Sequence, residues 1–391
     1  MLLPVQVRSG LIPNTSMLVR PIAFYLPQYH PIPENDEWWG PGFTEWTNTA
    51  KARPLYRGHY QPHVPADLGF YDLRQPEARA AQARLAREYG VEGFCYYHYW
   101  FGHGRRLLER PFEEVLASGQ PDFPFCLCWA NETWTGIWHG ASNQILIKQE
   151  YPGEDDATRH FETLLPAFRD ARYLKVDGRP LFLIYNPKGL PDAKAFTDFW
   201  RRLATQAGLP GLYLVGIANQ PWSPTENGFD GATTHNVHLA RHCDGSTWSS
   251  RLKFHSRSLL GRPPLLFSYE EAIKHFLLDE CRQTNVYPCV IPNWDNTPRS
   301  GLRGLVLHGS TPELFRQHLH DTLSQVAHKP AEHRLVFIKS WNEWAEGNHL
   351  EPDLRFGRRY LEVLREEVGT AGEIRAVNRS PGTVAAASAV Y

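Results

Sequence analysis

The sequence is short of several things, and each shortage removes a class of function. It has no charge excess: 41 Lys and Arg stand against 42 Asp and Glu in 391 residues, for a formal charge of -1. Without surplus cations to neutralise phosphates, a nucleic-acid partner is not expected. No apolar run approaches the roughly 18 residues that a bilayer-spanning helix needs. The first 20 residues, MLLPVQVRSGLIPNTSMLVR, are broken by Pro4, Arg8 and Pro13. No signal peptide is therefore expected, and a cytoplasmic location is. The six cysteines lack CxxC or metal-ligand spacing. Cys95, Cys126 and Cys128 lie in apolar runs, Cys243, Cys281 and Cys289 are scattered, and all are expected to be reduced. No Gly-rich phosphate loop follows the first apolar run, where PQYHP stands instead. Neither a cofactor nor a metal is expected, and nothing in the sequence fixes an oligomeric state.

What is abundant is aromatic. Thirteen Trp, 17 Tyr and 20 Phe collect in clusters beside His, Asn, Asp and Glu: YLPQYH, EWWGPGFTEW, YYHYWF, CWANETW, NWDNT and SWNEWAEG. Six such clusters suggest a pocket that stacks flat apolar faces and hydrogen-bonds hydroxyls, hence an oligo- or polysaccharide substrate.

Residues 1–19 are uncommitted, and 369–391 lose hydrophobic periodicity and read as a flexible tail. Between them, Ile22–Leu26, Gly93–Tyr97, Pro124–Ala130, Leu181–Tyr185, Leu212–Ala218, Gly231–Thr234, Pro288–Pro292 and Leu335–Ser340 predict eight strands, the sixth faint. Helices are predicted over Glu77–Tyr89, Leu107–Ser118, Ala157–Ala171, Ala193–Ala207, Tyr269–Leu278, Pro312–Val326 and Leu354–Val368. Near-continuous apolar strands, each followed by a helix, indicate a parallel sheet covered by helices. Eight such units fit a single (β/α)8 barrel over residues 20–368 with long aromatic-rich loops, better than an open doubly wound sheet.

On that framework the polar–aromatic clusters fall at the C-terminal ends of strands, where barrel enzymes build their sites. Tyr29 and His30 follow the first strand, and the long insertion behind them carries Trp38, Trp39, Glu45 and Trp46. His98, Tyr99 and Trp100 end the second. Trp129, Asn131, Glu132 and Trp134 follow the third. His235 follows the sixth, Trp294 and Asp295 the seventh, and Trp341, Asn342 and Glu351 the eighth. The indoles of Trp38, Trp39, Trp46, Trp100, Trp129, Trp134 and Trp294, with Tyr99, are expected to line one groove.

Glu343 and Glu346 are the leading acid–base candidates. Three residues apart, they share a face on a helical turn but diverge on a strand. The chain must therefore curl after Ser340, which Gly347 and Asn348 permit. Paired carboxyls, one protonated and one ionised, are what retaining glycoside cleavage needs. Trp341 and Trp344 would lower the polarity around them. Glu132 or Asp295 is the alternative acid or base, and a blander reading has one Glu capping a helix or pairing with Arg. Glu343→Gln and Glu346→Gln are each expected to abolish turnover at little cost in stability. His30, His98 and His235 stand in no HxH or HExxH spacing, so hydroxyl or carboxylate contacts are expected of them rather than metal.

The runs AFYLPQYHPIPENDEWWGPGFTEWTN, ADLGFYDLR, YGVEGFCYYHYWF, FPFCLCWANETW, NWDNTPR and SWNEWAEGNHLEPD are similar to the WbsX family, the glycoside hydrolase family 99-like proteins of bacterial polysaccharide gene clusters. The resemblance covers roughly residues 20–365. It implies a (β/α)8 barrel and a retaining mechanism, with the two catalytic carboxylates in Trp341-Asn342-Glu343-Trp344-Ala345-Glu346-Gly347. By it, Glu346 protonates the leaving oxygen. Glu343 deprotonates a sugar 2-hydroxyl that attacks the anomeric carbon through a 1,2-anhydro intermediate. PQYHP and the Trp-rich insertion depart from the pattern of the retaining endo-acting α-mannosidases of glycoside hydrolase family 99, to which the family is related. A glycosyltransferase of polysaccharide biosynthesis and a non-catalytic glycan-binding barrel are the competing readings.

Overall fold

A computed structural model describes residues 19–136, 144–218, 222–245 and 247–377. Eight parallel strands close into a barrel: β1 (Arg20–Tyr25), β2 (Gly93–Trp100), β3 (Phe125–Trp129), β4 (Arg179–Ile184), β5 (Tyr213–Ile217), β6 (Gly231–Thr233), β7 and β8 (Leu335–Ile338). Strand β7 comes as two pieces, Val286–Tyr287 and Cys289–Val290. Pro288, which has no N–H to donate, separates them. The first piece pairs with β6 and the second with β8, while the Pro288 carbonyl still accepts from Phe337 N at 3.0 Å. Strand β1 pairs with both β2 and β8, and that pairing closes the ring.

The strands are apolar because both faces are covered: every residue of β2 is buried. Close packing at the strand starts needs Gly93, where a Cβ would sit 2.6 Å from the Pro124 carbonyl oxygen. Helices Pro76–Glu88, Arg110–Ser118, Glu154–Arg169, Ala193–Gln206, Pro312–Val326 and Arg359–Val377 follow strands β1, β2, β3, β4, β7 and β8. Two helix starts differ from the sequence reading for a clear reason, and one unit of the repeat lacks its helix. The second helix starts at Arg110 because Arg106–Leu107 pairs antiparallel with Tyr99–Trp100. The fifth strand is followed by a short 3-10 turn, Thr225–Asn227, where a full helix would fit the repeat. The last helix begins at Arg359 because the Asp353 carboxylate ties down the N–H groups of Arg355 and Phe356.

Beyond β6 the chain makes a long excursion. It contains the 3-10 segment Asn236–Asp244, helices Thr247–Leu259 and Tyr269–Phe276, and a strand Leu265–Ser268 that pairs in parallel with Leu305–His308. A second apolar cluster, including Phe267, Tyr269, Phe276, Ile291 and Trp294, packs this excursion beside the end of β7. All six cysteines are free. No helix among the described residues is long and apolar enough to cross a membrane.

Candidate active site

A cavity of about 580 Å³ opens at the C-terminal ends of the strands. Side-chain alternation along each strand decides what reaches it. On β2, Tyr97 and Tyr99 line the cavity. His98 and Trp100 face the other way, onto His160 of the helix behind, with His98 Nε2 2.8 Å from His160 Nε2. Trp129 at the end of β3 also turns outward, stacking parallel to Trp200 and donating its indole N–H to the Trp100 carbonyl at 2.9 Å.

Of the residues nominated from sequence, Trp39, Glu45, Tyr99, Glu132, Trp134, His235, Trp294, Glu343 and Glu346 line the cavity. The others are placed behind its wall. Tyr29 is buried and donates its hydroxyl to the Asn342 carbonyl. His30 faces the Pro27 carbonyl at 3.1 Å. Trp46 donates to the Tyr71 carbonyl at 2.8 Å, and Trp38 packs edge-on to Trp134. Asn131 and Asn342 act as staples between loops. Asn342 accepts from Leu26 N at 2.8 Å and donates to Leu26 O at 3.0 Å. Asn131 does the same with Asn186 at 2.7 and 2.8 Å. Trp341 is buried against Phe94. Glu351 accepts from Tyr71, Gln82 and Trp344 at 2.9, 2.7 and 2.6 Å.

The curl expected after Ser340 is present. Asn342–Glu343 runs back antiparallel against Asn348–His349, and Trp344–Glu346 forms the 3-10 turn between them. Gly347 closes the turn at φ +56, and a Cβ there would sit 3.0 Å from Asp295 Cβ. Asp295 is the anchor of this turn rather than a cavity group. Its backbone N–H donates to the Glu346 carbonyl at 2.6 Å. Its carboxylate is held by His59 at 2.6 Å, Gln61 at 2.7 Å and Thr297. Burial pushes its pKa up, but these donors, His59 first, bring it below the usual range. Gly347→Ala should therefore cost roughly 1–3 kcal/mol through the left-handed backbone and the crowding of Asp295. Urea unfolding measures it, and a change below about 0.5 kcal/mol would show that the turn tolerates a side chain.

Two cations that the sequence reading missed organise the acids. Arg299 Nη2 lies 2.9 Å from Glu45 Oε2, and its Nη1 lies 2.6 Å from Glu346 Oε1. Lys339 Nζ lies 3.4 Å from Glu343 Oε2 and 3.3 Å from the Tyr97 hydroxyl. Each had a signal: Arg299 ends NWDNTPR, and Lys339 interrupts an otherwise apolar strand just before SWNEW. Three buried carboxyls thus face two cations, and charge balance leaves one carboxyl to hold a proton. That carboxyl is Glu346. Burial raises its pKa, the neighbouring Glu343 charge adds to the rise, and Arg299 only partly offsets it. For Glu343, burial also pushes upward, but Lys339, the hydrogen bond with Glu346 and Arg299 outweigh it and hold the group below the usual range. Among the described residues no N–H or O–H group donates to Glu346 Oε2, so its proton can bridge to Glu343.

Around the pair stand groups suited to a sugar. Trp39, Tyr97, Tyr99, Trp134 and Trp294 supply ring faces. His235 is kept neutral by burial and by Lys339, and its Nε2, like Trp294 Nε1, has no partner among the described residues. Glu132 sits across the cavity with its pKa raised by burial.

Comparison with known proteins places this geometry. Proteins WxcX of two strains of Xanthomonas campestris pv. campestris are 38% identical to the chain, over 392 and 375 residues. These matches take in 99% and 95% of this chain but 55% and 52% of the relatives, so the chain spans about half the length of the curated relatives it matches. Among solved structures, a glycoside hydrolase family 99 endo-alpha-mannosidase from Bacteroides thetaiotaomicron superposes with a TM-score of 0.55 at 15% identity, covering 91% of this chain and 98% of that one. A glycoside hydrolase-like protein gives 0.54 at 15% identity, covering 90% and 94%. These likenesses establish a shared barrel fold. The family model described as Glycosyltransferase WbsX matches residues 21–364, nearly the whole barrel, and the chain belongs to that family.

Proposed function

We propose that this protein is a carbohydrate-active enzyme that cleaves or transfers a glycosidic bond of a bacterial polysaccharide, of O-antigen or capsule type, with retention at the anomeric carbon. The observation that carries the reading is the placement of two buried carboxyls on one turn in an aromatic cavity, Glu343 beside Lys339 at 3.4 Å and Glu346 sharing Arg299 with Glu45, an arrangement that favours a protonated Glu346 and an ionised Glu343. Glu346 gives its proton to the leaving glycosidic oxygen. Glu343 takes the proton of the sugar 2-hydroxyl, whose oxygen closes on the anomeric carbon as the glycosidic bond breaks. Water or an acceptor hydroxyl then opens that ring, giving its proton to Glu346 while Glu343 returns its proton to the 2-oxygen, so that both carboxyls end as they began. Trp39, Tyr99, Trp134 and Trp294 stack on sugar faces, and Glu45, Glu132 and His235 bind hydroxyls.

A second reading, a sugar-nucleotide-dependent transferase, is favoured by the family description alone. The two separate in one experiment. Purified protein is incubated with surface polysaccharide, with and without a sugar nucleotide, and anomeric protons are followed by NMR. New reducing ends or rearranged linkages without nucleotide, of retained configuration, are expected. Activity that strictly requires the nucleotide would move the assignment to the transferase.

A further inference from the structure

Behind the Asn342–Glu343 strand, on the side away from the cavity, two loops meet at three buried side chains. His63 comes from the long insertion after β1, while His349 and Asp353 come from the chain after β8. One ring nitrogen of each histidine and one carboxylate oxygen of Asp353 lie within 4.8 Å of one another. We propose that His63, His349 and Asp353 form a binding site for a divalent transition-metal cation of the zinc type, which clips the first insertion to the hairpin carrying Glu343 and Glu346.

The hydrogen bonding leaves room for such an ion. His349 Nδ1 lies 2.9 Å from the Glu351 carbonyl oxygen and must donate to it, which leaves Nε2 with a bare lone pair. That Nε2 faces His63 Nδ1 at 2.8 Å. If His63 Nδ1 donates across this gap, its buried Nε2 becomes an acceptor with no partner. Among the described residues that nitrogen is unpartnered whether a proton or a metal occupies Nδ1, so the case for an ion rests on the two ring nitrogens and the carboxylate that converge between the loops. A metal between the rings takes lone pairs directly. Two nitrogens each about 2.0–2.1 Å from zinc are about 2.9–3.4 Å apart at ordinary coordination angles, so the rings need open by only a few tenths of an ångström.

The surroundings are those of metal ligands. A ligating histidine is commonly oriented by a carbonyl on its other nitrogen, as Glu351 does for His349. The Asp353 carboxylate is oriented through Oδ1 by two backbone N–H groups, at 3.0 Å from Arg355 and 2.6 Å from Phe356, and it also hydrogen-bonds the Tyr60 hydroxyl. Trp344 stacks on His349 at 3.7 Å, and Tyr60 stacks on His63 at 4.1 Å, so both rings are pinned from outside. Two imidazoles and a carboxylate suit borderline cations such as zinc over magnesium or calcium, with water completing the shell.

The test uses the tag-free full chain, stripped with a chelator, incubated with zinc or cobalt(II) and then gel-filtered. About one ion per chain should be retained, and the thermal midpoint should rise by a few degrees over the stripped protein. Cobalt should give visible d–d absorption without a thiolate charge-transfer band, which separates this site from the cysteines. His63→Gln and Asp353→Asn should each abolish retention. Retention below about 0.1 ion per chain by the parent protein overturns the proposal, as does retention that survives in both variants. Should the variants not fold, stoichiometry and the cobalt spectrum of the parent chain decide.

Discussion

Glu346→Gln is expected to lower turnover roughly 10²–10⁴-fold while leaving glycan affinity and stability close to those of the parent. Its geometry makes the substitution unusually clean. The amide oxygen can keep the 2.6 Å contact that Arg299 makes with Oε1. The amide nitrogen can donate to ionised Glu343, as the carboxyl proton does. What disappears is a transferable proton. Binding assays on oligosaccharides, run beside turnover, check the split between affinity and rate. Near-parental turnover would remove Glu346 from the chemistry and move the role to Glu132.

Glu343→Gln is also expected to abolish turnover. Lys339, whose side chain is 5% exposed, pairs with Glu343. Neutralising Glu343 removes the negative charge that raises the pKa of Glu346. Glu346 then ionises and takes over as partner to the buried cations, so the variant loses its base and its acid together. The same coupling shapes the pH profile of the parent. In the proposed mechanism activity needs Glu343 ionised, a group held below the usual carboxylate range, and Glu346 protonated, a group held well above it. Activity is gained as pH rises through the first and lost as pH rises through the second, giving a broad bell with its alkaline limb far above an ordinary carboxyl.

The framework of the barrel was legible because its strands are continuous apolar runs separated by turn residues, and strand parity is what misplaced part of the site. Reading YYHYW as one cluster put His98, Tyr99 and Trp100 in the groove together, whereas the pleat sends Tyr97 and Tyr99 inward and His98 and Trp100 outward. Trp129 followed the same rule. Asn131 and Asn342 looked like hydroxyl binders because amides serve that chemistry, yet an amide can equally close a two-bond staple with a neighbouring loop's backbone. Arg299 and Lys339 were passed over for another reason. The partners of Arg299 lie 254 residues away for Glu45 and 47 for Glu346, so no local pattern announces that pairing, whereas Lys339 stands four residues before Glu343 and its break in an apolar strand was the signal. The long segment after β6 was obscure because its strand, Leu265–Ser268, pairs outside the barrel with Leu305–His308.

Arg299→Met is expected to destabilise the protein by about 3–5 kcal/mol at neutral pH, the largest stability effect foreseen for a single side chain here. Arg299 is 14% exposed and is shared between Glu45, at 1%, and Glu346, at 10%. Removing it leaves buried Glu45 without that cation, while Glu346 can escape the penalty by staying protonated. Since Arg299 lowers the pKa of Glu346, its loss raises that pKa further. A carboxyl whose folded pKa is raised favours the folded state at low pH and loses that contribution as pH rises through the folded value. The deficit should therefore be larger at pH 8 than at pH 5.5. Any residual turnover should keep its alkaline limb to higher pH than the parent, a readout that a merely structural arginine would not move. Adding Glu45→Gln should restore part of the loss, because the uncompensated charge goes with it. Denaturant melts of the two single variants and the double variant at both pH values measure the coupling. If the single effects simply add, to within about 0.5 kcal/mol, Arg299 is not the hub that holds the two carboxylates in place.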